Sequence, residues 1–346
     1  MLSAIVAFSL MSPFAIAHPV WALAARSTSP PPVESVRGDF STQPHRDFAN
    51  GVRELTGVVY SVAVGYRPLR TAIFLPPHRR GRNSPIVVFI HGGGWVLDPL
   101  GNEGVTGTGT LVALAARGYV VERPEYRLSS EAKFPAQLVD IKRAIRWMKT
   151  YAANYGGDTT RVVVWGGSAG GNLAALIGTT CGMAKFDEWT AGPKVVGLSA
   201  PVIDPHVTSC VNAVIDWYGP IDFLAMDSQQ PPGPFGPHDG SGSPESRYVG
   251  CPLPGCRHGI VAAASPLTYI AHGAPPFLIM HGKADVAVPW RQSQELYDAL
   301  RAHDVPAQLV LVDGANHMFE GVPAAAKKIQ IQRVFRFIDA HSKRGR

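Results

Sequence analysis

The chain has 346 residues, 46% hydrophobic and only 17% charged, with a formal net charge of +6. That is material for one large domain or two small ones with a sizeable core, and it excludes a disordered, solvating chain. Part of the basic excess sits in two short runs, His78-Arg79-Arg80-Gly81-Arg82 and Lys343-Arg344-Gly345-Arg346; neither is long or interleaved with aromatics, so both read as solvated surface charge and not as a nucleic-acid site.

From Leu2 to Ala25 the chain is almost wholly apolar or small, and no charge precedes Arg26. Ala22-Leu23-Ala24 fits the small-residue rule for signal peptidase, with Ala15-Ile16-Ala17 as a second candidate. The missing Lys or Arg near the start departs from a good signal peptide, while Pro13 and Pro19 argue against a spanning helix. Residues 1–24 are therefore expected to be a signal peptide and 25–45, with Pro30-Pro31-Pro32, an extended Ser/Pro-rich linker. Residues 46–342 are the expected folded domain of a secreted or periplasmic protein, with no membrane association after cleavage. The four cysteines, Cys181, Cys210, Cys251 and Cys256, suit an exported chain by their even number, and none has CxxC spacing. Three pairings are open. Cys181–Cys210 with Cys251–Cys256 is favoured because the ends of the compact Cys251–Cys256 loop can meet; four reduced thiols are the alternative.

Beyond residue 55, β-branched runs alternate with helical periodicities, the pattern of an α/β fold with a mostly parallel sheet of about eight strands and helices on both faces. Strands are expected at 57–64, 71–75, 86–90, 119–122, 161–165, 213–217, 276–280 and 307–312. The clearest helix spans 136–151, where Leu138, Ile141, Ile145 and Met148 share one face and Lys142, Arg143, Arg146 and Lys149 form the polar one. Further helices are expected near 111–116, 171–177, 291–303 and 324–339. Ser228 to Gly242, rich in Pro and Gly, has no periodicity and is placed to overhang one end of the sheet.

Gly166-Gly167-Ser168-Ala169-Gly170 matches G-x-S-x-G between a β-rich run and a helix-forming one. Such a corner strains its central residue, holds the hydroxyl clear of the sheet and sets a helix N-terminus beside it. A serine hydroxyl needs a base and an orienting group to act as a nucleophile. Asp285 follows the 276–280 strand and His317, in Gly314-Ala315-Asn316-His317, follows the 307–312 strand, so both stand at carboxyl ends, where open α/β sheets gather ligands. Asp216, Asp222 and Asp313 are weaker candidates for the acid. His91-Gly92-Gly93-Gly94-Trp95 follows the 86–90 strand and lets backbone N–H groups converge on one point. Gly93, Gly94 and Ala169 are assigned as oxyanion donors, with His91 fixing the loop. Neither a metal-ligand spacing nor a nucleotide-binding loop is present.

These motifs resemble the α/β-hydrolase superfamily over about residues 56 to 340. The similarity lies with its HGGG-motif esterase/lipase group, above all with bifunctional feruloyl and acetylxylan esterase-like proteins. Tyr126-Arg127-Leu128, Ala132 to Gln137, Asp158 with Arg161, Ala213 to Asp222 and Pro276 to Asp285 also carry it. The resemblance implies a hydrolase without metal or cofactor, with Ser168 as nucleophile, His317 as base and then acid, and Asp285 holding the imidazole. Asn316 and Met318 beside His317 depart from the small residues usual there. Trp95, Trp217 and Tyr218 are the expected substrate-binding aromatics, with Trp290 nearby in sequence; core packing is the competing reading for Trp217. The expected substrate is a small-molecule or polysaccharide-linked ester with an acetyl or aromatic acyl group. Amide cleavage by the same triad, or a non-catalytic binding module, are the alternatives.

Overall fold

Alternation within the β-branched runs decides how the sheet is covered. In the strand Ser84–Ile90, Ile86, Val88 and Ile90 pack on one face and Val87 and Phe89 on the other, all buried. A strand buried on both faces is what a parallel sheet between helix layers requires. The computed structural model describes residues 43–62, 67–77, 83–98, 107–187, 201–229 and 236–342. The expected signal peptide, the linker up to residue 42 and both basic runs lie outside the described residues.

In chain order the strands are β1 (His45–Asp47), β2 (Arg53–Ser61), β3 (Leu69–Leu75), β4 (Ser84–Ile90), β5 (Val120–Pro124), β6 (Gly157–Gly167), β7 (Ala213–Trp217), β8 (Phe277–Gly282) and β9 (Ala307–Val312). They form one sheet in the order β1-β2-β3-β5-β4-β6-β7-β8-β9. Pairing is antiparallel from β1 to β5 and parallel from there to β9. The eight expected strands are all present, and β1 is a ninth. Its three residues are all exposed, so it has no apolar alternation to read.

The longer helices are α1 (Thr108–Ala116), α2 (Ala136–Tyr155) and α3 (Ala169–Thr179), then α8 (Arg291–Ala302) and α9 (Ala324–Ser342). Between them lie the short α4 (Ala184–Asp187), α5 (Met226–Gln229), α6 (Pro244–Val249) and α7 (His258–Ala263). Leu138 and Ile141 of α2, Leu176 of α3 and Leu296 of α8 join the core on one face of the sheet. Leu111 and Leu114 of α1 and Val334 and Phe337 of α9 join the core on the other. None of the described helices is long and apolar enough to cross a membrane.

The polar face that the periodicity of α2 predicts is partly buried against other segments. Lys142 is 1% exposed and donates to the Thr180 carbonyl at 2.7 Å and to Asp187 at 3.3 Å. Arg146 donates to the Val207 carbonyl and Lys149 to the Thr208 carbonyl. Long cationic side chains thus gather the carbonyls of the segment that runs to β7, and burial pushes the Lys149 ammonium down to about 8. The Cys181–Cys210 disulfide, with Cα atoms 4.9 Å apart, ties the end of α3 to that segment. Cys251 and Cys256 form the second disulfide.

A buried ion pair fastens α2 to the loop after β5. Arg127 donates from Nε and Nη2 to the two oxygens of Asp140, each at 2.8 Å, and its backbone N–H adds a third bond at 3.0 Å. Removing one partner of such a pair leaves the other charge buried. Asp140→Ala is expected to lower the unfolding free energy by about 3–5 kcal/mol, read as a drop in the urea midpoint; a loss below about 1 kcal/mol would show that the pair is dispensable.

Candidate active site

The carboxyl ends of β4, β6, β7, β8 and β9 deliver every element of the site to one edge of the sheet. Ser168 stands between β6 and α3 with φ 57° and ψ −125°, a strained backbone for a residue with a Cβ. Its N–H donates to the Trp217 carbonyl at 2.8 Å. The turn closes this tightly because Gly170 lacks a side chain, since a Cβ there would stand 2.2 Å from the Ile90 carbonyl oxygen.

His317 Nε2 lies 3.2 Å from Ser168 Oγ, and His317 Nδ1 lies 2.7 Å from Asp285 Oδ2. The three residues that the sequence placed at separate strand ends therefore form one hydrogen-bonded row. Asp285 also accepts the N–H groups of Ala287 and Val288 on Oδ1, at 2.8 and 2.9 Å. Its Oδ2 lies 3.2 Å from Nε2 of a second imidazole, His281. Burial alone would raise the Asp285 pKa, but hydrogen bonds from His281 and His317 outweigh it and hold the carboxyl well below the usual carboxylate range. An ionised Asp285 fixes the proton of His317 on Nδ1 and leaves Nε2 free to accept from Ser168.

His281 carries no motif of its own, and its role had no signal beyond lying four residues before Asp285. It is fully buried, within 2.7 Å of Ser293 Oγ and 3.0 Å of the Val288 carbonyl. Asn316 has a similar positioning part. Its Oδ1 accepts the N–H of Val286 at 3.0 Å and of His317 at 2.7 Å, joining the aspartate loop to the histidine loop.

Gly93, Gly94 and Ala169 line the same cavity as Ser168, a space of about 390 Å³. Gly93 has φ 98°, and a Cβ on it would meet the Leu97 carbonyl oxygen at 2.2 Å, so only glycine lets this loop turn back on itself. His91 supports the loop from below. Its ring stacks on Tyr126 at 4.2 Å, its Nδ1 lies 2.8 Å from the Gly92 carbonyl, and burial lowers its pKa to about 4, so it is neutral.

The expected substrate-binding aromatics divide. Trp95 and Tyr218 line the cavity, Trp95 stacked on Tyr248 at 4.2 Å and Tyr218 edge-on to His317 at 4.7 Å. Trp217 does not. It is fully buried, packs against Trp165 and Phe319 on the opposite face of the sheet and donates from Nε1 to Met280 Sδ at 3.1 Å. The two-residue period of β7 explains this, since Ala213, Ile215 and Trp217 point to one core together. Trp290, which precedes α8, is not among the cavity-lining residues either. The described part of the 228–242 segment supplies a wall through Pro237 and His238, and Met318 closes another side.

The BD-FAE family model matches residues 72–300 of the chain. Esterase LipQ of Mycobacterium tuberculosis is 29% identical over 263 residues, covering 75% of this chain and 56% of LipQ. The chain spans about half the length of the curated relatives it matches. Among solved structures, a bifunctional GH43-CE from Bacteroides eggerthii superposes with a TM-score of 0.68 at 30% identity, over 86% of this chain and 39% of that one. A truncated carbohydrate esterase from gut microbiota gives 0.67 at 25% identity, over 86% and 99%.

Proposed function

The chain belongs to the BD-FAE family of the α/β-hydrolase fold, and from that premise we propose that it is a secreted serine carboxylesterase acting on acetyl or feruloyl esters. The observation that carries the reading is the row from Asp285 through His317 to Ser168, open to a cavity beside a glycine loop. Ser168 Oγ attacks the ester carbonyl as His317 Nε2 takes its proton. The oxygen that gains charge is met by the N–H groups of Gly93, Gly94 and Ala169 and by the N-terminus of α3. His317 returns the proton to the departing alcohol, leaving an acyl-Ser168 ester; water, activated by the same imidazole, then releases the acid and restores the serine. Esterase names among the relatives support the class of reaction, and carbohydrate esterases among the solved structures support a sugar as the departing alcohol.

The test is a kcat/KM panel on p-nitrophenyl acetate, butyrate and octanoate, methyl ferulate and acetylated xylan. Acetate, methyl ferulate and acetylated xylan are expected to exceed octanoate by at least about tenfold, because fixing a flexible octanoyl chain in the reacting geometry costs conformational entropy that a compact acetyl or a flat feruloyl group does not. Preference for octanoate, with no turnover of ferulate or xylan ester, would overturn the substrate reading and leave a general carboxylesterase.

A further inference from the structure

One polar pair on the cavity wall takes no part in the triad. His238, from the 228–242 segment, and Glu245, from the first turn of α6, face each other with Nδ1 3.4 Å from Oε1. Their backbones are anchored independently. Asp227 accepts the N–H groups of His238 and Asp239 at 2.7 and 2.9 Å, and Ser243 caps α6 by accepting the Ser246 N–H at 3.0 Å. The side chains are 8% and 5% exposed, yet both residues line the cavity that contains Ser168. The second polar atom of each, His238 Nε2 and Glu245 Oε2, is buried without a hydrogen-bond partner among the described residues.

Unpaired polar atoms occur elsewhere in the interior, but two that belong to one contacting pair on a reaction cavity mark a place that a ligand group completes. Burial opposes charge on His238, but the hydrogen bond and the charge of Glu245 outweigh it, and its pKa is raised. When protonated, His238 donates Nδ1–H to Glu245 and presents Nε2–H, while Glu245 Oε2 presents a lone pair. Among the other cavity-lining residues, Pro237, Pro244, Trp95 and Leu97 offer no hydrogen-bond acceptor from their side chains. Pro244 also abuts the oxyanion loop, its Cβ lying 3.0 Å from where a Cβ of Gly94 would stand. A group that meets the pair therefore belongs to the part of the substrate adjoining the scissile carbonyl.

We propose that His238 Nε2 and Glu245 Oε2 together recognise a hydroxyl group of the ester, carried on the alcohol part by a sugar or polyol or on the acyl part by a phenol. A hydroxyl both accepts and donates, which is what the pair requires; an ether or alkyl group in its place leaves Oε2 unpaired. The inference rests on the esterase reading and names the substrate chemistry of the same cavity.

Two matched pairs of esters test it on the full chain, with p-nitrophenyl acetate as the reference. One pair is methyl ferulate against methyl 3,4-dimethoxycinnamate. The other is a monoacetylated methyl xyloside against the same acetate with its remaining hydroxyls methylated. The wild type is expected to favour the hydroxylated member of one pair by at least about tenfold in kcat/KM, and that pair identifies the source of the hydroxyl. In the double substitution His238→Phe, Glu245→Leu, which leaves no lone buried charge, the ratio is expected to fall toward one. Turnover of p-nitrophenyl acetate without discrimination in either pair, or discrimination that survives the double substitution, overturns this inference alone. A wild type that hydrolyses none of the esters overturns the esterase reading and the inference with it. The wild-type comparison needs no substitution, so a variant that folds poorly leaves the test standing.

Discussion

Replacing Ser168 with alanine is expected to lower kcat on p-nitrophenyl acetate by roughly 10⁵–10⁶-fold, the loss seen when a triad nucleophile is removed and only transition-state donors remain. The fold should hardly notice. Ser168 is half-buried, its hydroxyl is bonded among the described residues only to His317 Nε2, and alanine takes the same strained φ of 57° at a similar cost. Serine and alanine proteins should therefore melt together, whereas Ser168→Gly, equally inactive, should be more stable by about 1 kcal/mol or more because glycine accepts positive φ without strain. Adding His317→Ala to Ser168→Ala should cost little further, since residues that act as a unit are not additive. A Ser168→Ala protein that kept most of its activity would remove the nucleophile assignment, and a glycine variant less stable than the alanine one would remove the claim of stored strain.

Asp285→Asn is the second large effect, a fall in kcat of about 10⁴-fold with geometry nearly intact. The asparagine amide can occupy the same volume and still accept the Ala287 and Val288 N–H groups on one atom. Its other atom then presents N–H groups toward His317 Nδ1 and His281 Nε2, where the carboxylate presented a lone pair. His317 is driven to the tautomer with its proton on Nε2, so it can no longer take one from Ser168. The same residue carries a stability signature. Its folded-state pKa is depressed, so the unfolded chain binds this proton first as pH falls. The stabilisation is fully present above the ordinary carboxylate value of about 4 and is lost progressively as pH drops below it. Urea midpoints measured from pH 7 to pH 3 should thus fall less steeply for Asp285→Asn than for the wild type. Parallel curves would mean that the carboxylate is not held by the two imidazoles.

Much of this site was legible before any coordinates. Ser168 is marked by a glycine-rich pentamer between a β-rich run and a helix-forming one, and Asp285 and His317 by their places after the last two strands. In a parallel sheet strand ends share one edge, so order along the chain already implies neighbourhood in space. What was not legible depends on direction and on contacts between distant segments. Trp217 ends a strand near the site, but the parity of β7 turns its side chain into the core of the far face. The lysines and arginines of α2 read as a polar face, and periodicity does not report whether another segment will bring carbonyls to it. β1 escaped notice because a fully exposed three-residue strand has no hydrophobic pattern at all.

His281 and the His238–Glu245 pair mark the same boundary from the functional side. A histidine four residues from an aspartate, or a glutamate in the first turn of a short helix, is unremarkable in a sequence. Each gains its meaning from burial beside a particular partner, which local propensity does not encode. By itself the amino-acid sequence determined the α/β architecture, eight of the nine strands and the longer helices, and the three residues that form the hydrogen-bonded row, because hydrophobic period and turn chemistry are local and act along the chain. The tertiary structure alone decided which aromatics face the cavity, which charges are buried, and which polar atoms remain to be met by a substrate, because those depend on which surfaces close over which.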